Sequence, residues 1–287
     1  MHTIQANGAD LHVALSGPEQ GPAVMFSNSL GTDLRVWDEL IPHLPQGLRL
    51  VRYDKRGHGL SEETPGPYSI ETLADDAAAL IEALGLKKVV FVGLSIGGLI
   101  GQSLAARRPD LLAGLVISNS AAKIGDAAMW GARIEAIRRN GLGSIAEPTM
   151  ERWFSPAFRA TPELAAWQAM LERQPVEGYV DAITEIVRGA ERHDRHLVAG
   201  MHQVAHMGQA RAELAAGRQH REHRAVHVRD RIEQLHRLRA QRACRRQEVV
   251  VPFQIEPLPA ALEERVETDI VVLFGTLDVA GVMQVQR

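Results

Sequence analysis

Ser95 has the sequence context of a catalytic nucleophile. It is the central residue of Gly93-Leu94-Ser95-Ile96-Gly97, which follows an apolar, β-branched run and precedes a segment with helical spacing. A serine on a sharp strand-to-helix turn has a strained backbone, so its neighbours two positions away must be small. The turn would lift the Ser95 hydroxyl clear of the sheet and direct the Ile96 N–H into the same space. We therefore predict a nucleophile; the alternative is a plain Gly-Ser turn.

A serine nucleophile also needs N–H donors for the oxyanion that forms on its substrate. We predict that the backbone N–H groups of Ile96 and Leu30 are these donors. Leu30 lies in Asn28-Ser29-Leu30-Gly31, a loop that follows an apolar strand-like run. Gly31 permits close approach of the backbone. The alternative is that this loop is only a polar turn.

The base and the acid of a serine hydrolase are not evident in the sequence. Asp54 and His58 lie close together, but alternating glycines and Arg56 between them favour a tight, internally hydrogen-bonded loop with a structural histidine. Asp278 ends a strand-like run in Gly-x-x-Asp and is a candidate for the acid, yet no histidine follows it. A base would have to come from upstream, such as from His202, His206, His220 or His236.

The segments around Ser95 alternate between apolar strand patterns and helical patterns. An edge hairpin is predicted at residues 4–14, around Asn7-Gly8. Further strands are predicted at residues 22–26, 48–53, 89–94 and 112–118, and helices at residues 37–44 and 68–84. Ser69 is a plausible N-cap and Gly85 a C-cap of the second helix. Strands that are apolar throughout and alternate with helices indicate an α/β fold with a mostly parallel sheet covered on both faces.

Three helical patterns follow without intervening strands, at residues 127–140, 145–154 and 162–173. Such an insertion over the carboxyl edge of a sheet is where a lid would cover the nucleophile. We therefore divide the chain into a core (1–119), a helical lid (120–180) and an atypical C-terminal segment (181–287).

The composition changes abruptly after Val180. Residues 181–248 contain eight of the twelve histidines and fourteen arginines, but no lysine and no aromatic residue. A basic helix at residues 221–246 and strands at residues 249–255 and 269–275 are predicted there. His202 and His206 have helical metal-ligand spacing, but no acid accompanies them, so a metal site is disfavoured. Nucleic-acid binding is disfavoured because no aromatic residues interleave the basic ones.

The bulk properties exclude several classes of protein. The formal net charge of −3 over 287 residues gives no drive towards nucleic acid or an anionic membrane. One cysteine excludes a disulfide framework. The N-terminus lacks a signal-peptide pattern, and no apolar run is long enough to cross a membrane. We expect a cytoplasmic protein without a cofactor or metal, which acts on a small molecule; the oligomeric state is open.

Residues 1–180 resemble the α/β-hydrolase superfamily and, more closely, the 3-oxoadipate enol-lactonases. Most hydrolases of this fold have His-Gly in the oxyanion loop, whereas Asn28-Ser29 is similar to the enol-lactonases. The matching core stretches are Phe26-Ser-Asn-Ser-Leu-Gly-Thr-Asp33 with Trp37 beyond it, Tyr53-Asp-Lys-Arg-Gly-His-Gly-Leu-Ser61 and Gly93-Leu-Ser-Ile-Gly-Gly98. The matching lid stretches are Ala122-Lys-Ile-Gly125, Trp130-x-x-Arg133-Ile134 and Glu151-Arg-Trp-Phe154.

The resemblance implies that Ser95 attacks the carbonyl of 3-oxoadipate enol-lactone (4-oxoadipate enol-lactone). Hydrolysis would release 3-oxoadipate, late in the β-ketoadipate pathway of aromatic compound degradation. The resemblance also implies that Ser29, Trp130 and Arg133 contact the anionic substrate. Trp130 and Arg133 are three apart on a predicted helix and share a face, and a guanidinium fits a carboxylate. The alternative is that Trp130 is a core residue and Arg133 a solvated charge.

The family pattern of an acid after a late strand, followed by a histidine near the C-terminus, is not found after residue 180. We hypothesise that residues 181–287 arose from a reading-frame error or a rearrangement of an enol-lactonase gene. Translation of the other frames downstream of the Val180 codon tests this, and the idea fails if no frame restores a strand-Asp and a Gly-His. Three other readings stay open: an impaired enol-lactonase-like protein, another carboxylic-ester hydrolase of the same fold, and a non-enzymatic protein whose basic tail binds a partner.

Overall fold

The computed structural model describes residues 2–121, 124–192 and 272–275 of the chain. Within these residues seven strands form one sheet in the order β1-β2-β4-β3-β5-β6-β7. The strands are β1 (His2–Ala6), β2 (Ala9–Ser16), β3 (Ala23–Ser27), β4 (Arg49–Tyr53), β5 (Val89–Leu94), β6 (Leu112–Ser118) and β7 (Val272–Gly275). The β1–β2 and β2–β4 pairs are antiparallel and the others are parallel, so the α/β prediction is confirmed.

The N-terminal hairpin forms where Asn7-Gly8 predicts it. Ala6 pairs with Ala9, which leaves Asn7 and Gly8 as the two turn residues. Both have positive φ, 49° for Asn7 and 74° for Gly8. A tight two-residue hairpin requires this conformation, and Asn-Gly adopts it most readily. The hairpin forms one edge of the sheet.

The sheet is apolar on both faces. Consecutive residues of a strand point to opposite faces, and they divide between two hydrophobic clusters. Met25 and Phe91 belong to the larger cluster, whereas their neighbours Phe26 and Val92 belong to the smaller one. Cover on both faces explains why the strand sequences are apolar throughout.

Helices α1 (Ile70–Ala83) and α2 (Ile96–Arg107) follow β4 and β5. The Ser69 hydroxyl accepts a hydrogen bond from the Thr72 N–H at 3.0 Å, as expected of an N-cap. The single helix predicted for residues 37–44 is wrong. Two short 3₁₀ turns occupy this region, Leu34–Trp37 and Ile41–His43. Pro42 has no N–H to continue an α-helical hydrogen-bond ladder, so one helix cannot span both turns.

Five helices follow β6 within the described part of the chain. They are α3 (Ala127–Asn140), α4 (Ala146–Trp153), α5 (Pro156–Arg159), α6 (Leu164–Glu172) and α7 (Val176–Arg192). Helices α3, α4 and α6 match the three predicted lid helices. Helix α7 runs across the composition change at Val180, and Ala182 and Ile183 are fully buried. The packed core therefore continues a few residues beyond position 180, while the division into three segments stays a prediction.

Strand β7 confirms the end of the strand predicted at residues 269–275. Its register places Val272 opposite Leu115 and Gly275 opposite Ser118. The predicted helix at residues 221–246 and the predicted strand at residues 249–255 lie outside the described residues. No helix in the described part is long and apolar enough to cross a membrane. The same part contains no group of three or more His, Cys, Asp or Glu side chains placed to hold a metal ion.

Candidate active site

The carboxyl ends of four parallel strands meet at one edge of the sheet. Ser27, the last residue of β3, pairs with Tyr53 of β4 on one side and with Gly93 of β5 on the other. Leu94 of β5 pairs with Ser118 of β6. The loop after β3, the loop after β4 and Ser95 therefore lie along the same edge, where ligands of open α/β sheets bind.

Ser95 has the strained backbone expected of a nucleophile elbow. Its φ and ψ are 55° and −114°, a conformation that residues other than glycine rarely adopt. Hydrogen bonds hold it on both sides. The Ser95 N–H donates to the Ser118 carbonyl at 2.9 Å, and the Ser120 hydroxyl donates to the Ser95 carbonyl at 2.7 Å. The turn is therefore fixed by β6 and by the loop that follows it.

The glycines on either side of Ser95 are required by backbone contacts. A Cβ atom on Gly93 would lie 2.2 Å from the Gly97 carbonyl oxygen, and one on Gly97 would lie 2.1 Å from the Ser27 carbonyl oxygen. Neither contact can be relieved by moving a flexible side chain. The small residues predicted from the Gly-x-Ser-x-Gly pattern are therefore a steric requirement of this turn.

Ile96 is the first residue of α2. Its N–H has no acceptor within the helix, because the first N–H groups of a helix have no carbonyl one turn earlier. The helix dipole adds partial positive charge at the same place. An N–H donor suited to a developing negative charge therefore stands next to Ser95 in the chain.

The side chain of Asn28 holds residues 28–31, the predicted oxyanion loop, in place. Asn28 is fully buried. Its Nδ2 donates to the Tyr53 carbonyl at 2.9 Å, and its Oδ1 accepts from the Trp37 Nε1 at 2.7 Å. The amide thus bridges β4 and the 3₁₀ turn that follows the loop. Its NH₂ group and its carbonyl oxygen each have a hydrogen-bond partner.

The Ser29 carbonyl is the second fixed point of the oxyanion loop. It accepts hydrogen bonds from the Lys55 Nζ at 2.7 Å, the Thr32 hydroxyl at 3.0 Å and the Thr32 N–H at 3.3 Å. Ser29 itself is buried. Lys55 is fully buried as well, and burial lowers its pKa to about 7 against the opposing effect of Asp54 and Asp33.

Gly31 packs against side chains of the lid, while its role in the oxyanion loop stays a prediction. Its φ is 78°, and a Cβ atom there would lie 2.6 Å from the Leu171 Cδ1 and 2.9 Å from the Tyr179 Cε2. The oxyanion loop therefore packs directly under α6 and α7.

Asp54 and His58 have separate partners. The Asp54 carboxylate accepts from the N–H groups of Leu34 at 2.6 Å and Leu60 at 3.0 Å, and its other close contact is the His12 Nδ1 at 2.8 Å. The His58 ring is fully buried and stacks on Tyr179, with 6.1 Å between ring centroids. Burial and the nearby Lys55 amine keep the His58 pKa well below its usual value. This is the geometry of a structural histidine.

Arg133 reaches from α3 to two other lid helices. Its Nε and Nη2 donate to the Tyr179 hydroxyl at 3.0 and 2.8 Å, and Nη2 also donates to the Thr149 hydroxyl at 2.8 Å. Trp130 on the same helix is buried, and its Nε1 donates to the Ile124 carbonyl at 2.7 Å. Substrate contact by Ser29, Trp130 and Arg133 stays a prediction.

A second guanidinium, that of Arg152, lies near Arg133. Although much of its side chain is exposed, partial burial of the charged group and repulsion by Arg133 lower the pKa of Arg152. Within the described residues, no carboxylate forms an ion pair with either arginine. Two neighbouring cations without a carboxylate are suited to an anionic ligand.

The sequence pattern did not single out three residues of this region, Lys55, Arg152 and Tyr179. Lys55 and Arg152 lie in stretches that resemble the enol-lactonases, and this resemblance was the only sequence feature that could have identified them as site residues. No sequence feature pointed to Tyr179. The candidate acid and the candidate bases lie outside the described residues; they are Asp278, His202, His206, His220 and His236.

Comparison with known proteins identifies the family. Residues 22–141 match the model of the alpha/beta hydrolase fold. The chain is 40% identical over 163 residues to 3-oxoadipate enol-lactonase 2 of Acinetobacter baylyi. These 163 residues are 56% of this chain and 61% of that protein. It is 35% identical over 187 residues to 3-oxoadipate enol-lactonase 1 of the same organism, 64% of this chain and 70% of that protein.

Among solved structures, the enol-lactonase from Burkholderia xenovorans LB400 is 36% identical, with a TM-score of 0.62 over 64% of this chain and 73% of that one. The matched part thus spans 61% of one enol-lactonase relative and somewhat more than two thirds of the other two. The chain belongs to the α/β-hydrolase fold family and, within it, to the proteins that resemble the 3-oxoadipate enol-lactonases.

Proposed function

We propose that this chain is a carboxylic-ester hydrolase that opens 3-oxoadipate enol-lactone to 3-oxoadipate, with Ser95 as the nucleophile. The observation that carries the proposal is the backbone of Ser95, with φ 55° and ψ −114°, which hydrogen bonds to Ser118 and Ser120 hold in place. Strain of this kind persists only where the surrounding structure imposes it, and it is common at reactive residues. The names of the relatives supply the substrate.

In the proposed reaction the Ser95 oxygen attacks the lactone carbonyl carbon while a base removes the hydroxyl proton. The ring C–O bond then breaks, and the enol oxygen leaves and takes up a proton. Water hydrolyses the acyl-enzyme and restores the Ser95 hydroxyl, and the freed enol tautomerises to the ketone. The N–H groups of Leu30 and Ile96 would stabilise the oxyanion of both tetrahedral intermediates.

The arginines of the lid favour an anionic substrate. The enol-lactone carries a free carboxylate in addition to its lactone ring, and we assign this carboxylate to the guanidinium of Arg133, with Arg152 beside it. The two arginines have no ion-pair partner among the described residues, so a carboxylate would relieve their mutual repulsion. Ser29 and Trp130 would line the same space.

The acid and the base are further parts of this proposal. Gly275, the last residue of β7, pairs with Ser118, whose carbonyl accepts the Ser95 N–H. Asp278 is three residues further along the chain and lies outside the described residues. We take Asp278 as the candidate acid and an upstream histidine, such as His202, His206, His220 or His236, as the base. A place in aromatic catabolism in the cytoplasm is part of the same proposal.

Loss of enol-lactone absorbance tests the function directly. The purified full chain is compared with Ser95→Ala and with Ser144→Ala, which removes an exposed lid hydroxyl. We expect turnover by the native chain and by Ser144→Ala, and a loss of at least about a thousandfold in Ser95→Ala.

Two other outcomes would contradict the proposal. If all three proteins are folded and equally inactive, the chain has the nucleophile scaffold without a working base. If 4-nitrophenyl acetate is hydrolysed much faster than the enol-lactone, the chain is a different carboxylic-ester hydrolase of the same fold.

A further inference from the structure

We propose that Lys55 is a positioning residue for the oxyanion hole, because its amine holds the Ser29 carbonyl and thereby directs the Leu30 N–H at the substrate. The inference rests on the proposed function, which makes the Leu30 N–H an oxyanion donor. It assigns a role to a buried side chain that the proposed reaction does not otherwise use.

The Ser29 carbonyl and the Leu30 N–H belong to the same peptide group. A peptide group is planar and trans, so its C=O and N–H bonds point in opposite directions. A hydrogen bond that fixes the carbonyl oxygen therefore also fixes the direction of the N–H. The Lys55 Nζ lies 2.7 Å from the Ser29 oxygen, which is the shortest of the three contacts to that oxygen.

The other two contacts are local to the loop. Both come from Thr32, three residues after Ser29, so they shape the turn without relating it to the rest of the sheet. Lys55 instead follows β4, the strand next to β3, and Tyr53 pairs with Ser27 in that register. The lysine bond thus ties the oxyanion loop to a neighbouring strand.

The burial of Lys55 indicates that its polar end has a specific task. The residue is 1% exposed, and lysine is almost never fully buried unless it is paired. Within the described residues no carboxylate forms an ion pair with its Nζ, and the Nζ donates its one hydrogen bond to the Ser29 carbonyl. An apolar side chain of similar length would fill the same space without the cost of desolvating an amine.

The bond does not depend on the charge of the amine. Burial lowers the Lys55 pKa to about 7, so both protonation states are present near neutral pH. An ammonium and a neutral amine both carry N–H groups, and either can donate to the Ser29 carbonyl. We therefore expect the positioning to hold on both sides of neutrality.

Lys55→Met is the informative variant, because it keeps the length and removes the donor. We expect kcat to fall by about tenfold to a hundredfold, less than the loss on removal of an oxyanion donor, while KM changes less than threefold. Lys55→Gln, which retains an N–H donor, should recover part of the loss. Lys87→Met, at an exposed lysine, should behave as the native chain.

A second measurement reports on Leu30 without turnover. The Ser95 oxygen would attack the phosphorus of diethyl 4-nitrophenyl phosphate, lose its proton and displace 4-nitrophenolate. The diethylphosphoryl group left on Ser95 would hold its P=O oxygen in the place of the oxyanion. In ¹⁵N-labelled native chain the Leu30 amide proton should shift downfield on phosphorylation, and this shift should be lost in Lys55→Met. Thermal unfolding of each variant shows whether it is folded.

The outcomes separate the two proposals. Failure of the native chain to react with the reagent or to turn over the lactone would count against the proposed function itself. If the native chain reacts but Lys55→Met shows the same Leu30 shift and the same kcat, Lys55 is only a core residue. If Lys55→Met does not fold, Lys55→Gln is compared with the native chain instead. A smaller Leu30 shift in Lys55→Gln combined with an unchanged kcat would overturn the inference.

Discussion

Gly97 of the nucleophile turn lies against the carbonyl of Ser27, the last residue of β3, so closely that a Cβ on Gly97 would be 2.1 Å from that oxygen. The residue that precedes the predicted oxyanion loop and the turn that carries Ser95 are therefore in backbone contact. Backbone contact between two neighbouring strands therefore relates Ser95, the proposed nucleophile, to the start of the loop that contains Leu30.

Gly97→Ala should disturb both parts of the site. The added methyl group meets a carbonyl oxygen of a central strand, so we expect about 1–3 kcal/mol of lost stability and at least a tenfold loss of activity. Gly131→Ala is the matched control, because open space surrounds Gly131 in α3. Alanine is the better helix former, so this change should raise the free energy of unfolding by about 0.5–1 kcal/mol. Thermal unfolding and esterase assays measure both effects, and equal stability of the two variants would contradict the steric argument.

Arg133→Met and Arg152→Gln should each raise KM for the enol-lactone about tenfold, because each removes a charged donor for the substrate carboxylate. Neutral esters such as 4-nitrophenyl acetate should be affected much less. Arg139→Gln, at a largely exposed arginine of the same lid, is the control. An equal loss for charged and neutral substrates would instead indicate that the lid is disturbed, since Arg133 also holds Tyr179 and Thr149.

Asn28→Leu should destabilise the chain by about 2–4 kcal/mol, because the Trp37 N–H is left buried without its acceptor and the Tyr53 carbonyl loses a donor. Trp37→Phe removes one of the two bonds and should cost less. Urea unfolding of the two single variants and the double variant measures the coupling between Asn28 and Trp37. Strict additivity would argue against the bridge.

His58 should make the chain less stable in acid. Its pKa in the folded protein is well below 6.5, so the unfolded chain binds a proton below that pH and the folded chain does not. The free energy of unfolding should therefore fall as pH falls below about 6.5, by up to about 1.4 kcal/mol per pH unit from this group. His58→Gln should flatten this slope between pH 6.5 and 5 in urea titrations. An unchanged slope would show that the folded and unfolded chains bind the His58 proton over the same pH range, which would contradict a lowered pKa.

Lys55 should act on stability in a higher pH range. Its pKa is lowered from 10.5 to about 7, so between these values the unfolded chain holds a proton that the folded chain has lost. The contribution of Lys55 to the free energy of unfolding should therefore rise with pH between about 7 and 10.5, by at most about 1.4 kcal/mol per pH unit. Lys55→Met should remove that rise, and urea unfolding at pH 7 and 9 measures the difference.

Features decided by neighbours in the chain could be predicted from the sequence. The Asn7-Gly8 turn, the Ser69 cap and the Ser95 elbow each depend on the backbone conformation that a few adjacent residues favour. The parallel sheet was predictable as well, because strands that are covered on both faces must be apolar throughout. The error at residues 37–44 is of the same local kind, since Pro42 signals the break between the two 3₁₀ turns.

The partners of Lys55, Arg133 and Gly31 were decided by the tertiary structure alone. Lys55 meets a carbonyl 26 positions away, and Arg133 meets a hydroxyl 46 positions away. No local pattern encodes such a pair, because each residue is compatible with several environments until the sheet and lid bring the elements together. The sequence by itself determined the strand-to-helix turn that carries Ser95, the residue we propose as the nucleophile, because that turn depends on a few adjacent residues. The packing of β4 and the lid against residues 28–31 decided what surrounds it.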